Sequence, residues 1–312
     1  MAEQGASLRR RFLKMLGAGI VSAWGFPGLA WSQQSRVQTK PIPSSGESLP
    51  VIGMGTWRTF NVGDDPELLA ARTRVLKAFF AAGGGLVDSS PMYGSAADTL
   101  GYALRQLGKP KSLFSAEKVW SPAGGTTREQ VASLARRWGL RTFDLVQVHN
   151  LDDWQQHLPV LRELKAGGVI RYLGITTSHG RRHAEFEQVM AGTEIDFVQL
   201  TYNITHRQAE ARLLPLAREK RIAVIANRPY DGGSLIKGLK RREKLPEWAL
   251  EECGCRTWAD FLLKFIVSHP AVNCAIPATT RVAHMQENMA AGLAPLVDEK
   301  TRQKMTAFIA SL

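Results

Sequence analysis

Leu145-Val146-Gln147-Val148 and Tyr172-Leu173-Gly174-Ile175-Thr176 are two short, mainly apolar runs separated by an amphipathic stretch, residues 154–166. A continuous apolar run fits a strand covered on both faces, and two of them joined by a helix make a parallel crossover. The same alternation fills the chain. Further apolar runs lie at residues 51–55, 86–89 and 113–115 before this unit, and at 197–201, 222–226 and 274–276 after it. Helical patterns stand between them at 66–82, 96–107, 128–138, 181–190, 208–220 and 258–267. Eight strands with intervening helices in roughly 260 residues predict an α/β fold, a closed (β/α)8 TIM barrel. An open doubly wound sheet is the alternative, but Gly53-Met54-Gly55-Thr56-Trp57-Arg58 lacks the third glycine of a dinucleotide-binding turn.

Active residues of such a barrel belong at the C-terminal ends of its strands and in the loops that follow. Asp88 ends the second strand, Tyr93 follows in its loop, Lys118 follows the third strand and His149 ends the fourth. Each is a weak signal alone; together, from three neighbouring strands, they form a constellation. A tyrosine hydroxyl is a poor proton donor unless its anion is stabilised. A nearby ammonium favours the phenolate and is expected to lower the tyrosine pKa into a usable range, while a carboxylate keeps the lysine charged. A histidine beside the pair can orient a substrate oxygen. The four suit protonation of a carbonyl oxygen while a hydride reaches its carbon, and the hydride requires a cofactor.

Other chemistries find less support. No nucleophilic serine or cysteine stands beside an evident base, and no metal site is expected. His179-Gly180-Arg181-Arg182-His183 has a four-residue histidine spacing but lacks the glutamate of a zinc helix and carries two arginines, so it reads as a solvated loop and helix start. Cys253, Cys255 and Cys274 are expected as free buried thiols, with a bridge from Cys253 or Cys255 to Cys274 as the alternative. Trp57 and Trp120 are candidates for a substrate pocket.

Composition is that of an ordinary globular chain, with 44% hydrophobic and 22% charged residues, which excludes disorder. The unusual figure is the net charge of +12, from 40 Lys+Arg against 28 Asp+Glu. Part of it sits at the N-terminus, where Arg9-Arg10-Arg11-Phe12-Leu13-Lys14 precedes an apolar run from Met15 to about Gly28. That pattern is expected of a twin-arginine export signal over residues 1–30, cleaved near Ala30, and predicts a periplasmic protein that uses the twin-arginine export machinery. The run is too short to span a bilayer, so no membrane insertion of the mature chain is expected. Four cations against Glu3 give this leader +3 of the total and leave +9 on the rest. Residues 31–48 read as a linker and hairpin, and 49–312 as the barrel. The basic run 237–244 reads as a solvated face; without interleaved aromatics or a recognisable module, nucleic-acid binding is not expected.

From about residue 37 to 312 the chain resembles the aldo-keto reductase family. The resemblance rests on Gly53-x-Gly55-Thr56-Trp57, Asp88 through Tyr93-Gly94, Glu117-Lys118, Asp144-Leu145-x-Gln147-x-His149, residues 167–174, Gln199-x-x-Tyr202-Asn203, Ile276-Pro277 and Glu287-Asn288. It implies a (β/α)8 barrel with an N-terminal β-hairpin over its base that reduces aldehydes or ketones with NADPH, NADH being the alternative. It also implies Tyr93 as general acid, Lys118 and Asp88 as its tuners, and His149 as the residue that orients the substrate. By the same resemblance Thr176, Thr177, Gln199, Asn203, Asn227, Arg228, Thr279, Arg281, Glu287 and Asn288 are cofactor contacts, with Thr279 and Arg281 on the adenosine 2′-phosphate. Thr176-Thr177 departs from the family's Ser-Asn pair, and Asn227 from the aromatic residue that stacks on nicotinamide. Those departures keep a second expectation open, a non-catalytic nucleotide-binding or regulatory barrel.

Overall fold

The computed structural model describes residues 37–312. The expected export signal and the first part of the linker lie outside the described residues. A two-stranded antiparallel hairpin, β1 (Thr39–Pro41) and β2 (Ser48–Pro50), precedes eight parallel strands. These are β3 (Met54–Gly55), β4 (Leu86–Asp88), β5 (Phe114–Val119), β6 (Phe143–Val148), β7 (Ile170–Thr176), β8 (Phe197–Thr201), β9 (Ala223–Asn227) and β10 (Cys274–Ala275). Each pairs with its sequence neighbour, and the sheet closes where Ile52 bridges Ala275, with Gly53 N–H donating to Ala275 O at 2.9 Å. The architecture is the expected (β/α)8 barrel.

Helices α1 (Pro66–Ala81), α2 (Ala96–Gln106), α3 (Thr127–Trp138), α4 (Trp154–Ala166) and α5 (His183–Gly192) follow β4's predecessor and β4 to β7 in turn. Their starts are written locally. Asp65 caps α1 by accepting from Glu67 and Leu68 N–H, and Thr126 with Glu129 forms a reciprocal capping box on α3. The stretch 208–220 is not one helix: a 3₁₀ turn, Gln208–Glu210, and α6 (Leu213–Glu219) are separated by Arg212 in a non-helical conformation. Beyond it come α7 (Ser234–Arg242), α8 (Glu247–Cys253), α9 (Trp258–Val267), α10 (Val282–Ala290) and α11 (Glu299–Ala310). Apolar periodicity finds α9, which is buried along its whole length, and misses α7, α8, α10 and α11, whose faces are largely polar.

One strand boundary matters for the chemistry. The third barrel strand runs to Val119, so Lys118 lies inside it and not in the loop after it. Glu117 and Lys118 hide the second half of this strand from an apolar reading. Each polar group has a partner: Ser115 bonds Asp144 at 2.7 and 2.8 Å, Glu117 accepts from Trp138 at 3.0 Å, and Lys118 binds Asp88 at 2.7 Å.

Along the barrel interior, polarity rises from base to mouth. The base is plugged by Ile42 and Leu49 of the hairpin with Leu86, Phe114, Leu145, Tyr172 and Phe197. Two residues further along the strands stand Asp88, Gln147 and Gln199; period-two alternation therefore delivers side chains of opposite character from the same strand face. The hairpin is fastened by Lys40, whose Nζ donates to the backbone carbonyls of Val267, His269 and Val272 at 2.7, 2.8 and 2.7 Å. Cys253, Cys255 and Cys274 are free thiols and buried.

Candidate active site

Asp88 is placed by β4 and Lys118 by β5, adjacent parallel strands whose register sets Asp88 beside Ala116, two residues short of Lys118. Both side chains are fully buried. Lys118 Nζ donates to Asp88 Oδ1 and Oδ2 at 2.7 Å each and to Ser89 O at 2.6 Å. Burial, the largest single influence, opposes the lysine's charge, but Asp88, Tyr93 and Glu117 together outweigh it and hold the Lys118 pKa above its usual value. Gln199 Nε2 donates to Asp88 Oδ1 at 2.7 Å, so Gln199 belongs to this buried network. Thr56 closes it from the first barrel loop by donating to Asp88 O at 2.9 Å.

Tyr93 sits in the one-turn helix Pro91–Tyr93, started by Ser90, which caps Met92 N–H. Its ring lies 5.4 Å from Lys118 Nζ, measured to the ring centroid, and 6.0 Å edge-on from the His149 ring. The expectation that Lys118 brings the phenol toward neutrality is not met. Burial dominates and pushes Tyr93 up to about 12, while Lys118 pulls down and Asp88 and Glu117 push up. The physical reason is that the ammonium is bound to Asp88, so the phenol feels a nearly balanced pair.

His149 ends β6, and its Nδ1 is 2.8 Å from Ser90 Oγ. With Ser90 donating, the ring proton sits on Nε2 and is available to a substrate oxygen. Burial first, then Lys118 and Arg181, hold the imidazole down at about 3, so it is neutral at working pH. Sequence reasoning did not single out Ser90; its signal is the run Ser89-Ser90-Pro91, a capping serine before a proline at N1.

These groups meet in a cavity of about 320 Å³ at the C-terminal ends of the strands, lined among others by Trp57, Asp88, Tyr93, His149, Thr176, Thr177, Gln199, Asn227 and Arg228. Trp57 stands exposed at the mouth with the Arg58 guanidinium 4.2 Å above its ring. Trp120 does not join the wall; it packs behind His149, with ring centroids 6.3 Å apart. Thr176 Oγ1 accepts from Asn150 N–H at 2.9 Å, and Asn227 Nδ2 donates to Thr177 O at 2.9 Å, so the ends of β7 and β9 are tied together. Asn203 stays outside the cavity and fixes the Arg228 loop by donating to Arg228 O at 2.9 Å.

Thr279, Arg281, Glu287 and Asn288 lie on and before α10, beyond the wall of this cavity. Arg281 N–H donates to Thr279 Oγ1 at 3.2 Å, and Asn288 is buried and accepts from the Tyr230 hydroxyl at 2.6 Å. That last bond ties the loop after β9 to α10. No cluster of three or more metal-ligating side chains occurs among the described residues.

The sequence profile of the Aldo/keto reductase family matches residues 51–306, a span that holds all four of the grouped residues. The chain belongs to that family. This aldo/keto reductase is 29% identical over 260 residues to methylglyoxal reductase YeaE of Escherichia coli (strain K12), covering 81% of this chain and 89% of that protein. It is 27% identical over 246 residues to the NADH-specific methylglyoxal reductase of the same organism, covering 66% and 71%. An aldo-keto reductase from Klebsiella pneumoniae, solved in complex with NADPH, has the same fold with a TM-score of 0.73 at 23% identity, over 87% of this chain and 95% of that one. The holo form of an aldo-keto reductase from Bacillus halodurans gives 0.71 at 21%, over 87% and 96%. Membership makes the chain an oxidoreductase that reduces carbonyl groups with a nicotinamide cofactor.

Proposed function

We propose that this aldo/keto reductase reduces an aldehyde or ketone to an alcohol with NADPH, with Tyr93 as general acid, Lys118 and Asp88 supporting it, and His149 orienting the carbonyl. One observation carries the reading: Asp88, Tyr93 and His149 line a single cavity, and Lys118, buried behind its wall and bound to Asp88 at 2.7 Å, lies 5.4 Å from the Tyr93 ring centroid.

The wall fits an anionic dinucleotide. Arg228 Nε is buried without a partner, and Gly232 and Gly233, with φ of 67° and 95°, open into α7, whose first N–H groups have no side-chain cap. An orphan guanidinium donor beside a helix N-terminus suits a pyrophosphate. Thr279 and Arg281 would take the 2′-phosphate, Glu287 and Asn288 the adenine side, and Thr176, Thr177, Gln199 and Asn227 the nicotinamide side. When bound, the nicotinamide supplies the hydride. His149 Nε2–H holds the carbonyl oxygen, and Tyr93 Oη–H donates its proton to that oxygen. Lys118 then faces the phenolate left on Tyr93 and steadies it until a proton returns from solvent.

The test is oxidation of NADPH in the presence of simple aldehydes by wild type and Tyr93→Phe. Loss of the general acid is expected to lower kcat by about 10²–10⁴-fold; equal rates overturn the role of Tyr93. Calorimetric titration with NADPH and NADH separates catalysis from a purely binding barrel, which binds nucleotide and turns nothing over. Export by the twin-arginine route, supported by the sequence Arg9-Arg10-Arg11-Phe12-Leu13-Lys14 and the apolar run after it, places the reductase in the periplasm. Retention of the precursor in the cytoplasm on replacing Arg9→Lys and Arg10→Lys is the expected result, and unchanged export overturns it.

A further inference from the structure

The motif His179-Gly180-Arg181-Arg182-His183 has no part in moving a proton, yet His179 and Arg181 stand in the wall of the cavity that holds Tyr93 and His149. Its two arginines differ in their surroundings. Arg182 is balanced: Nε and Nη2 donate to Glu185 at 2.8 Å each, and Nη1 donates to Asn150 O at 2.8 Å. Arg181 pairs with no carboxylate among the described residues. Its Nε donates to Ser178 O at 3.2 Å and its Nη2 to Ser178 Oγ at 3.0 Å. Ser178 thus fixes the guanidinium through backbone and side chain and leaves the rest of the planar fork uncommitted.

The rest of the wall does not neutralise that charge. Asp88 is bound by Lys118 and Gln199. Of the other two lining arginines, Arg228 is paired with Asp231 at 2.6 Å and Arg58 lies on Trp57. The Arg181 charge is also felt at the reacting centre, since it helps to hold the neighbouring His149 neutral after burial and Lys118.

We propose that the substrate is a carbonyl compound that also carries a carboxylate, and that Arg181, fixed by Ser178, binds this carboxylate while the carbonyl lies at Tyr93 and His149. The assignment rests on the reductase reading and names its substrate class. A guanidinium fork matches a planar carboxylate in a bidentate pair, which favours a charged substrate over an uncharged analogue.

The experiment compares 4-oxobutanoate with butanal, aldehydes of equal carbon chain that differ by the carboxylate, using NADPH with wild type, Arg181→Gln and Arg181→Lys. Wild type is expected to favour 4-oxobutanoate in kcat/KM by about tenfold or more, the usual worth of a hydrogen-bonded charge. In Arg181→Gln that preference collapses through KM for 4-oxobutanoate, and Arg181→Lys recovers part of it. NADPH affinity, measured by fluorescence titration on each variant, separates a substrate contact from a cofactor contact. Equal kcat/KM for the two aldehydes in wild type overturns the substrate class and leaves the reductase reading standing. A loss of NADPH affinity in Arg181→Gln that matches the loss of kcat/KM for both aldehydes assigns Arg181 to the cofactor and also overturns it. Failure of wild type to oxidise NADPH with either aldehyde, while binding the nucleotide, overturns the reductase reading and the substrate class together.

Discussion

Lys118 and Asp88 are a fully buried ion pair, and removing one charge from such a pair strands the other. Lys118→Met is therefore expected to destabilise the fold by about 3–5 kcal/mol as well as abolish turnover. Urea denaturation reads the first effect and NADPH oxidation the second; a variant of wild-type stability contradicts the pairing as described. The histidines give a pH prediction. Burial chiefly holds His149 down at about 3 and His269 at about 4, from an ordinary 6.5. A base kept neutral by the fold takes up a proton more readily once unfolded. The stability that these two contribute is complete above 6.5 and is lost as pH falls from about 6.5 toward about 4 for His269 and about 3 for His149, by up to about 1.4 kcal/mol per unit for each. His149→Gln is expected to show a shallower loss than wild type between pH 7 and 5; parallel curves contradict the assignment. At this scale the sequence names Asp88, Tyr93, Lys118 and His149, because strand-end position and residue chemistry are both local. It does not name Ser90 or foresee the high Tyr93 pKa, because both depend on which atoms meet across strands.

Elements read well from the sequence where burial is one-sided or complete. The buried α9 and the strands flanking His149 show as apolar runs, whereas β5 shows only at its start, since the polar residues of its second half find partners on neighbouring elements. Helix-to-helix approach is also invisible in one dimension. Gly101 on α2 faces Arg137 O of α3 so closely that a Cβ there would lie 1.8 Å from that oxygen. Gly101→Ala is thus expected to force the two helices apart despite alanine's better helix propensity, at about 1–3 kcal/mol. A lowered Tm checks this, and a raised Tm would mean that the crossing gives way without strain.

At the scale of the whole molecule, the barrel order was legible from alternation alone, and its closure from the count of eight strands. The gradient inside was not, because it emerges only when strands are set in register, apolar at the hairpin end and charged at the mouth. A ligand that bridges loops at that mouth should stabilise the entire barrel. NADPH at about a hundred times its Kd is expected to add about 2.7 kcal/mol, a Tm rise on the order of 5 °C. The rise should shrink in Arg228→Gln, where the orphaned guanidinium donor is gone. An unchanged rise in that variant would place the pyrophosphate elsewhere.

The hairpin fastened by Lys40 has a consequence for handling. It brings the chain onto the barrel at the face opposite the cavity, as residues 39–50 cover the base while the strands end at the site. A support coupled to the start of the hairpin therefore joins the barrel at its closed end and leaves the mouth facing solution. Beads or electrodes loaded that way leave the cavity open, whereas coupling through the lysines of α7 would crowd the stretch just before that helix, where Gly232 and Gly233 line the cavity.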